Sequence, residues 1–368
     1  MIMPAPFAAK RRADDGIAEA NPTLTCRFPM FLFAFATLLP LPLLALAALQ
    51  GGVWVLAALL YMTVFTYLLD QLVVIAQPQA ADPTAEFPAA DALSVVLGIG
   101  HLALLALIVW TIGQRPLGLP STIGLVAAAG LYFGQVSNSN AHELIHKGGR
   151  GLHRLGQWVY ISMLYGHHTS AHVLIHHRLV ATPDDPATAR LGEGFWAYAP
   201  RAWIGAFRAG MQAETARLDR VGRSAWHHPY VVYLGGGAAM LIAAFALGGA
   251  RGFAGYLALV AYAQVQLLLS DYVQHYGLMR KTGPDGKLEP VGARHSWNAP
   301  HWFSAALMLN APRHADHHAH PARPFPALNI DTASPTLPRS LPAMASLALV
   351  PPLWRRVMDR RVRRWTQA

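Results

Sequence analysis

Charge is scarce in this chain. Of its 368 residues, 13% are Asp, Glu, Lys or Arg, about half the share of an ordinary soluble domain. Against that, 54% are hydrophobic and the mean hydropathy is +0.29. Such a composition excludes a disordered chain and argues against an ordinary soluble enzyme. Cysteine is nearly missing as well, Cys26 being the only one. An intrachain disulfide is excluded, and so is any four-cysteine iron–sulfur or zinc site. There is no flavin or nicotinamide fingerprint, no internal repeat, no low-complexity tract and no sign of a second soluble domain. What the chain holds in excess is histidine: 18 residues, in a sequence whose apolar character gives no structural reason to collect them.

The apolar runs between charges are long. Residues 28–69 carry no charge, twice the roughly 20 residues that one helix needs to cross a bilayer. They are expected to form a hairpin that turns at Gly51-Gly52 and bends at Pro40 and Pro42. With the later runs, the sequence predicts an all-α bundle of six membrane spans, at about 28–49, 53–75, 92–114, 117–139, 228–250 and 252–275. Residues 1–27 read as a mobile N-terminus and 28–368 as one membrane-embedded domain, with regions 140–223 and 276–368 at the cytoplasmic end. Orientation follows from the basic residues. Of 29 Lys and Arg, only Arg115 and Arg251 fall on the far side, so both termini, with Lys10-Arg11-Arg12, are expected in the cytoplasm, the protein lying in a bacterial inner membrane. The net charge of +10 reflects this bias and calls for no nucleic acid. Arg355, Arg356, Arg360, Arg361, Arg363 and Arg364 are expected to face anionic membrane lipids. Leu347–Trp354, too short to span, is expected at the interface with Trp354 as its anchor.

Every dense histidine cluster falls at the predicted cytoplasmic end. His142 and His146 are spaced i, i+4, which puts both imidazoles on one helical face. His172, His176 and His177 are spaced i, i+4, i+5. His314, His317 and His318 are spaced i, i+3, i+4, and His275 closes the sixth predicted span. Imidazole binds zinc, copper, iron or nickel, and nine nitrogens are too many for one ion of four to six coordination and about right for two. His101, at mid-span, reads instead as a hydrogen-bonded interhelical group, and His153, His227 and His228 as interfacial or solvated. Two rival readings use the same residues. His142-Glu143-Leu-Ile-His146 matches the H-E-x-x-H signature of a zinc protease, with Glu143 as general base, but leaves the other histidines without a role. A metal transporter would be expected to carry its ligands along the spans, near mid-membrane.

At these residues the chain resembles the integral-membrane alkane 1-monooxygenase (alkane omega-hydroxylase) family, within the membrane fatty-acid desaturase/hydroxylase superfamily. The matching pieces are Tyr67-Leu-Leu-Asp70, His142-Glu-Leu-Ile-His-Lys147, Tyr165-Gly-His167, Val180-Ala-Thr-Pro-Asp-Asp-Pro-Ala-Thr-Ala-Arg190, Gln274-His-Tyr-Gly-Leu278, His295-Ser-Trp-Asn298, Arg313-His-Ala-Asp-His-His-Ala319 and Leu349-Val-Pro-Pro-Leu-Trp-Arg355. The resemblance implies a six-helix bundle with a cytoplasmic, histidine-rich di-iron cap. It places the nine ligands on His142, His146, His172, His176, His177, His275, His314, His317 and His318. The implied reaction is terminal hydroxylation of a hydrocarbon, a medium-chain n-alkane, by O2. A methyl-arene hydroxylase or a fatty-acyl desaturase of the same superfamily is the alternative. The chain departs from the family in two places. The second box usually reads Glu-His-Asn-x-Gly-His-His and here is Ala171-His-Val-Leu-Ile-His-His177. The usual Asn-Tyr-x-Glu-His is Asp271-Tyr-Val-Gln274-His275.

Two ferrous ions held by neutral imidazoles put concentrated positive charge in a partly apolar setting, which calls for acids nearby. Metal-bound imidazoles commonly give their second N–H to such groups. Glu143, Asp271, Asp316 and Asp185 are the acids nearest the boxes and are expected in that role. The chain has no redox cofactor motif of its own, so its electrons must come from outside. The resemblance implies a rubredoxin, or a ferredoxin, with an NAD(P)H reductase. An apolar substrate is expected to enter from lipid along a groove between spans, with Trp54, Tyr61, Tyr132 and Phe133 as candidates for its end-stop. Trp54 lies about 24 Å before Asp70 at 1.5 Å per helical residue.

Overall fold

Apolar segments that meet no water must satisfy their main-chain polar groups internally, and here they do so as helices. The computed structural model describes residues 22–72, 87–115 and 117–367. No strand occurs among them. Lys10-Arg11-Arg12 and most of the expected mobile N-terminus lie outside the described residues, while residues 22–27 already belong to the first helix. α1 (Pro22–Leu38) and α2 (Pro40–Gln50) follow one another through an interruption at Leu39, because Pro40 has no N–H to continue the ladder. The chain then reverses at Gly51 and Gly52, with φ of 66° and 53°, a region open to glycine and costly for other residues. α3 (Gly52–Leu72), α4 (Pro88–Gln114) and α5 (Leu119–Ile145) follow, and after the histidine-bearing turns comes α8 (Pro229–Gln274), with α6 and α7 between them as described below.

Five helical segments are long and apolar enough to cross a membrane, and the last of them, α8, contains the two final spans of the six that the sequence predicts. Its 46 residues were expected as two spans split by Gly248, Gly249 and Arg251, and the helix is indeed broken there by one non-helical residue, Gly249, with φ 57° and ψ −162°. The junction is tight. A Cβ on Gly113 of α4 would stand 2.1 Å from the Gly248 carbonyl oxygen, so the two backbones touch there. The outward faces of these helices stay apolar, with Val53, Leu56, Leu234, Ile242 and Phe245 exposed, as a lipid-facing surface requires. Inside, Leu44, Leu104, Ile108, Leu125 and Leu259 form part of one continuous core.

α6 (Arg150–Ser162) was read as part of an end loop. It instead runs back beside the end of α5, where Gly156 packs on Ala141, Leu144 and Ile145. Its last residue, Ser162, meets His101 halfway along α4, with Nε2 and Oγ 2.8 Å apart, and accepts from the Tyr256 hydroxyl at 2.8 Å through its carbonyl. His101 is thus the interhelical group that the sequence suggested.

A second core lies at the histidine-bearing end, between α7 (Phe195–Arg220), the end of α8, α11 (Leu341–Ala348) and α12 (Pro351–Gln367). Trp354 belongs to it. Expected as an interfacial anchor, it is fully buried against Tyr272 and Tyr276, at ring distances of 5.3 and 5.2 Å. The reason is the register of α12: Trp354, Met358 and Val362 recur every fourth residue and turn inward. Its six arginines, Arg355 to Arg364, stay exposed.

Candidate metal centre

Three segments and one helix end carry the nine histidines. His142 and His146 close α5 just after a π-helical turn at Phe133–Ser137. One extra residue in a turn rotates everything beyond it by about 100° around the axis, so this turn decides which face of α5 presents the two imidazoles. A second π-helical turn, His172–His176, follows the short helix His168–Ala171. His275 ends α8, one residue past its last helical position. His314, His317 and His318 share the short α10 (His314–Ala319).

The surroundings hold these segments in place. Asn140 donates to the Ser94 carbonyl at 2.9 Å. Asp70, at the end of α3, accepts from the main-chain N–H groups of Phe303 and Ser304 at 3.0 and 3.1 Å and so caps α9 (Trp302–Leu307). Asn298 accepts from the Ala315 N–H at 3.0 Å, and Gln274 donates to the Ala311 carbonyl at 3.0 Å. The first ties α10 to the segment at Asn298, and the second ties the turn before α10 to the end of α8. Asn298 and Gln274 occur in the sequence motifs above, but no spacing rule reveals what they hold.

The imidazoles gather into two groups, each with its candidate ligand atoms within 4.8 Å of one another: His142, His146, His172, His177 and His317 in the first, His176, His275, His314 and His318 in the second. In the first, the Nε2 atoms of His142 and His172 are 2.7 Å apart, and that of His177 lies 3.0, 3.2 and 3.2 Å from those of His172, His146 and His317. In the second, the Nε2 atom of His314 is 2.9 Å from that of His275 and 3.1 Å from that of His318. Two nitrogens bound side by side to one transition metal at about 2.0–2.1 Å are themselves roughly 3 Å apart. The donor set therefore fits two ions of the imidazole-loving class. Burial, reinforced by neighbouring imidazoles, holds His172, His177, His317 and His318 well below the usual histidine range. His146 is lowered to about 4 and His314 to about 3, again chiefly by burial. Neutral rings with free lone pairs are the form that binds metal. His176 is the exception: burial pulls it down, but the charge and hydrogen bond of Asp185, with the charge of Asp271, outweigh this and push it up.

The four candidate acids separate. Asp185 accepts from His176 Nδ1 at 2.9 Å and is fixed by Thr188 Oγ1 at 2.7 Å and the Ala187 N–H at 3.1 Å. Asp271 borders a small cavity beside His172 and His176. Glu143 turns away from the rings to Lys147 at 2.9 Å, which also pairs with Asp91 at 3.0 Å, and accepts from the Phe325 N–H. This leaves Glu143 badly placed for the general base of a zinc protease. Asp316 also turns away, to Arg323 at 2.6 Å, His320 at 2.9 Å and the Asn329 N–H at 2.8 Å, and so braces the loop after α10. The groove candidates are packed rather than open. Tyr61 donates to the Ala36 carbonyl at 3.0 Å and Tyr132 to the Thr37 carbonyl at 3.3 Å. Phe133 lies on His101 at 4.3 Å, and Trp54 donates to Gln50 at 3.0 Å. His168, which the spacing argument passed over, lies beside His172 with ring centroids 4.9 Å apart.

Residues 117–347 match the fatty acid desaturase family. The chain is 34% identical to alkane 1-monooxygenase 1 of Alcanivorax borkumensis over 72% of its length and 66% of that protein. It is 36% identical to the alkane 1-monooxygenase of Acinetobacter baylyi over 62% of its length and 56% of that protein. Against alkane 1-monooxygenase 1 of Pseudomonas aeruginosa the identity is 32%, over 73% of the chain and 74% of the relative. The match thus spans less than two thirds of the first two relatives.

Proposed function

Because the chain belongs to the fatty acid desaturase family and, within it, to the alkane 1-monooxygenases, we propose that it is a multi-pass membrane di-iron enzyme that hydroxylates the terminal carbon of a medium-chain alkane with O2. The observation that carries this reading is the convergence of nine imidazoles into a group of five and a group of four. Two bound irons would supply O2 activation there. The protein's own part is positioning. The end of α5 holds part of the first group and the end of α8 part of the second, while the second histidine segment (His172–His177) and α10 each contribute to both. Asp185 fixes the ring of His176 through its Nδ1 proton, leaving Nε2 for metal. The buried, apolar packing around the groups keeps bulk water from the reacting carbon. The break at Gly249 divides α8 into two arms of bilayer length, giving six crossings with both termini in the cytoplasm.

Electrons must arrive from an external carrier, and we place its docking on an open groove of about 770 Å³ beside the second histidine segment. Ile175, Leu179 and Val221 give it apolar contact, and Arg178, Arg217 and Arg220 line it with positive charge. An acidic rubredoxin fits that charge. The test is purified protein in detergent, loaded with iron, supplied with NADH, reductase and rubredoxin, and offered a panel of alkanes, alkylbenzenes and fatty acids. Expected are about two irons per chain and 1-alkanols as products. One zinc per chain with peptide cleavage, or an alkene from an acyl chain, would overturn the reading.

A further inference from the structure

Asp271 lies one helical turn before His275, so both side chains leave α8 on one face. Its carboxylate has no hydrogen-bond partner among the described residues. It borders a cavity of about 20 Å³ together with His168, Ala171, His172, His176 and Asp185. At the same cavity a donor lacks an acceptor. His172 aims Nε2 at His142 and His177, so Nδ1 leaves the opposite edge of the ring, away from the group. That nitrogen is buried without a partner, in a residue 2% exposed. A water molecule needs about 10–15 Å³ of such space and at least two polar neighbours. Both conditions hold here.

We propose that one water in this cavity accepts a hydrogen bond from His172 Nδ1–H and donates to the Asp271 carboxylate. Asp271 is then a positioning acid for His172 of the first histidine group, through that water, as Asp185 is for His176 of the second. The inference rests on the two-metal reading above. It also bears on part of the chain's departure from the family pattern: position 171, glutamate in the usual second box, is alanine, and position 271, usually asparagine, is aspartate, both bordering this cavity. The usual glutamate at position 274 is glutamine, which donates to the Ala311 carbonyl instead. Metal-bound imidazoles whose outer partner is removed typically lose metal tenfold to a hundredfold more readily, which gives the arrangement a measurable consequence.

The experiment compares iron retention. The full chain is purified in detergent, loaded with ferrous iron, and dialysed against a chelator while iron per chain is followed. Size exclusion and thermal melting report folding for each variant. Asp271→Asn is expected to lose iron from one site at least about tenfold faster than the parent. Adding Ala171→Glu to Asp271→Asn is expected to bring the loss back close to the parent rate, because a carboxylate returns to the cavity. Asp271→Glu, which keeps the charge, is expected to retain iron. The inference is overturned if Asp271→Asn holds iron like the parent, if the folded double variant leaks as fast as Asp271→Asn, or if Asp271→Glu leaks as fast as Asp271→Asn. A parent protein that takes up no iron would sink the two-metal reading and this inference with it, whereas the three preceding outcomes sink this inference alone.

Discussion

His176 and His177 are neighbours in sequence and belong to different groups. Successive residues on a helix point about 100° apart, so His177 turns to His142, His146, His172 and His317 while His176 turns to His275, His314 and His318. The segment therefore bridges both groups, and the bond from Asp185 to His176 orients one ring of the second. Asp185→Asn keeps the shape and removes the charge. It is expected to weaken iron retention about tenfold to a hundredfold, read as iron per chain after chelator challenge, with the second group losing its metal first. The low-lying imidazoles also set a pH dependence. In the unfolded chain histidine binds a proton near pH 6.5, while folded His146 and His314 do so only near 4 and 3. The unfolded state therefore holds more protons below pH 6.5, and stability falls as the pH drops. The metal-free protein is expected to keep its full melting temperature above about pH 7 and to lose stability progressively from there towards pH 4. A melting temperature that rises on acidification would contradict this. The nine ligand candidates were legible because helical spacing is a local property. Their division into five and four was not, because it depends on where α8 and α10 arrive.

At the scale of elements, the apolar runs showed the spans and their approximate ends, and the glycine pair showed the first turn. Two features escaped that reading. The π-helical turns at Tyr61–Phe65, Phe133–Ser137 and His172–His176 carry no composition signal, since one inserted residue changes register and not hydropathy. The return of α6 into the bundle was hidden because Arg150, His153 and Arg154 make its first turns look like a surface loop. The break in α8, by contrast, falls at Gly249, within the Gly248-Gly249-Arg251 stretch where the sequence places it. What makes that joint possible is the absence of side chains at Gly113, Gly248 and Gly249. A Cβ at Gly113 meets main-chain oxygen at 2.1 Å, which no rotamer change can relieve. Gly113→Ala is expected to destabilise the protein by about 1–3 kcal/mol, as overpacked sites do. Gly249→Ala, with open space around its Cβ but φ of 57°, is expected to cost about 1–2 kcal/mol from backbone strain alone. Unfolding followed in mixed detergent should rank the two in that order or place them close together. A Gly113→Ala protein as stable as the parent would show that α4 and α8 do not meet as closely as described.

For the whole molecule, charge is distributed by task. The apolar outer faces of the long helices carry almost none, and the basic residues collect at the histidine-bearing end. The arginines of α12 and those of the groove by Ile175 are both exposed, but they differ in what lies behind them. Behind α12 is the core around Trp354, and behind the groove is the turn that carries His176 and His177. An electron donor gains only from the second position. Arg178 and Arg220 have no acidic partner among the described residues, and Arg217 reaches Glu214 only at 3.9 Å, so the groove keeps a positive field of the kind the proposed acidic carrier would meet. Such fields act mainly on encounter, fade with salt over a Debye length of about 10 Å at 0.1 M, and leave the chemical step untouched. Charge reversal by Arg217→Glu with Arg220→Glu is therefore expected to raise the KM for rubredoxin about tenfold or more at low ionic strength. The kcat at saturating rubredoxin, the iron content and turnover driven by dithionite should stay as in the parent, and added salt should narrow the gap between the two proteins. An unchanged KM for rubredoxin, together with weaker attachment to anionic vesicles, would reassign these arginines to lipid head groups and move the site of electron entry elsewhere on the basic end.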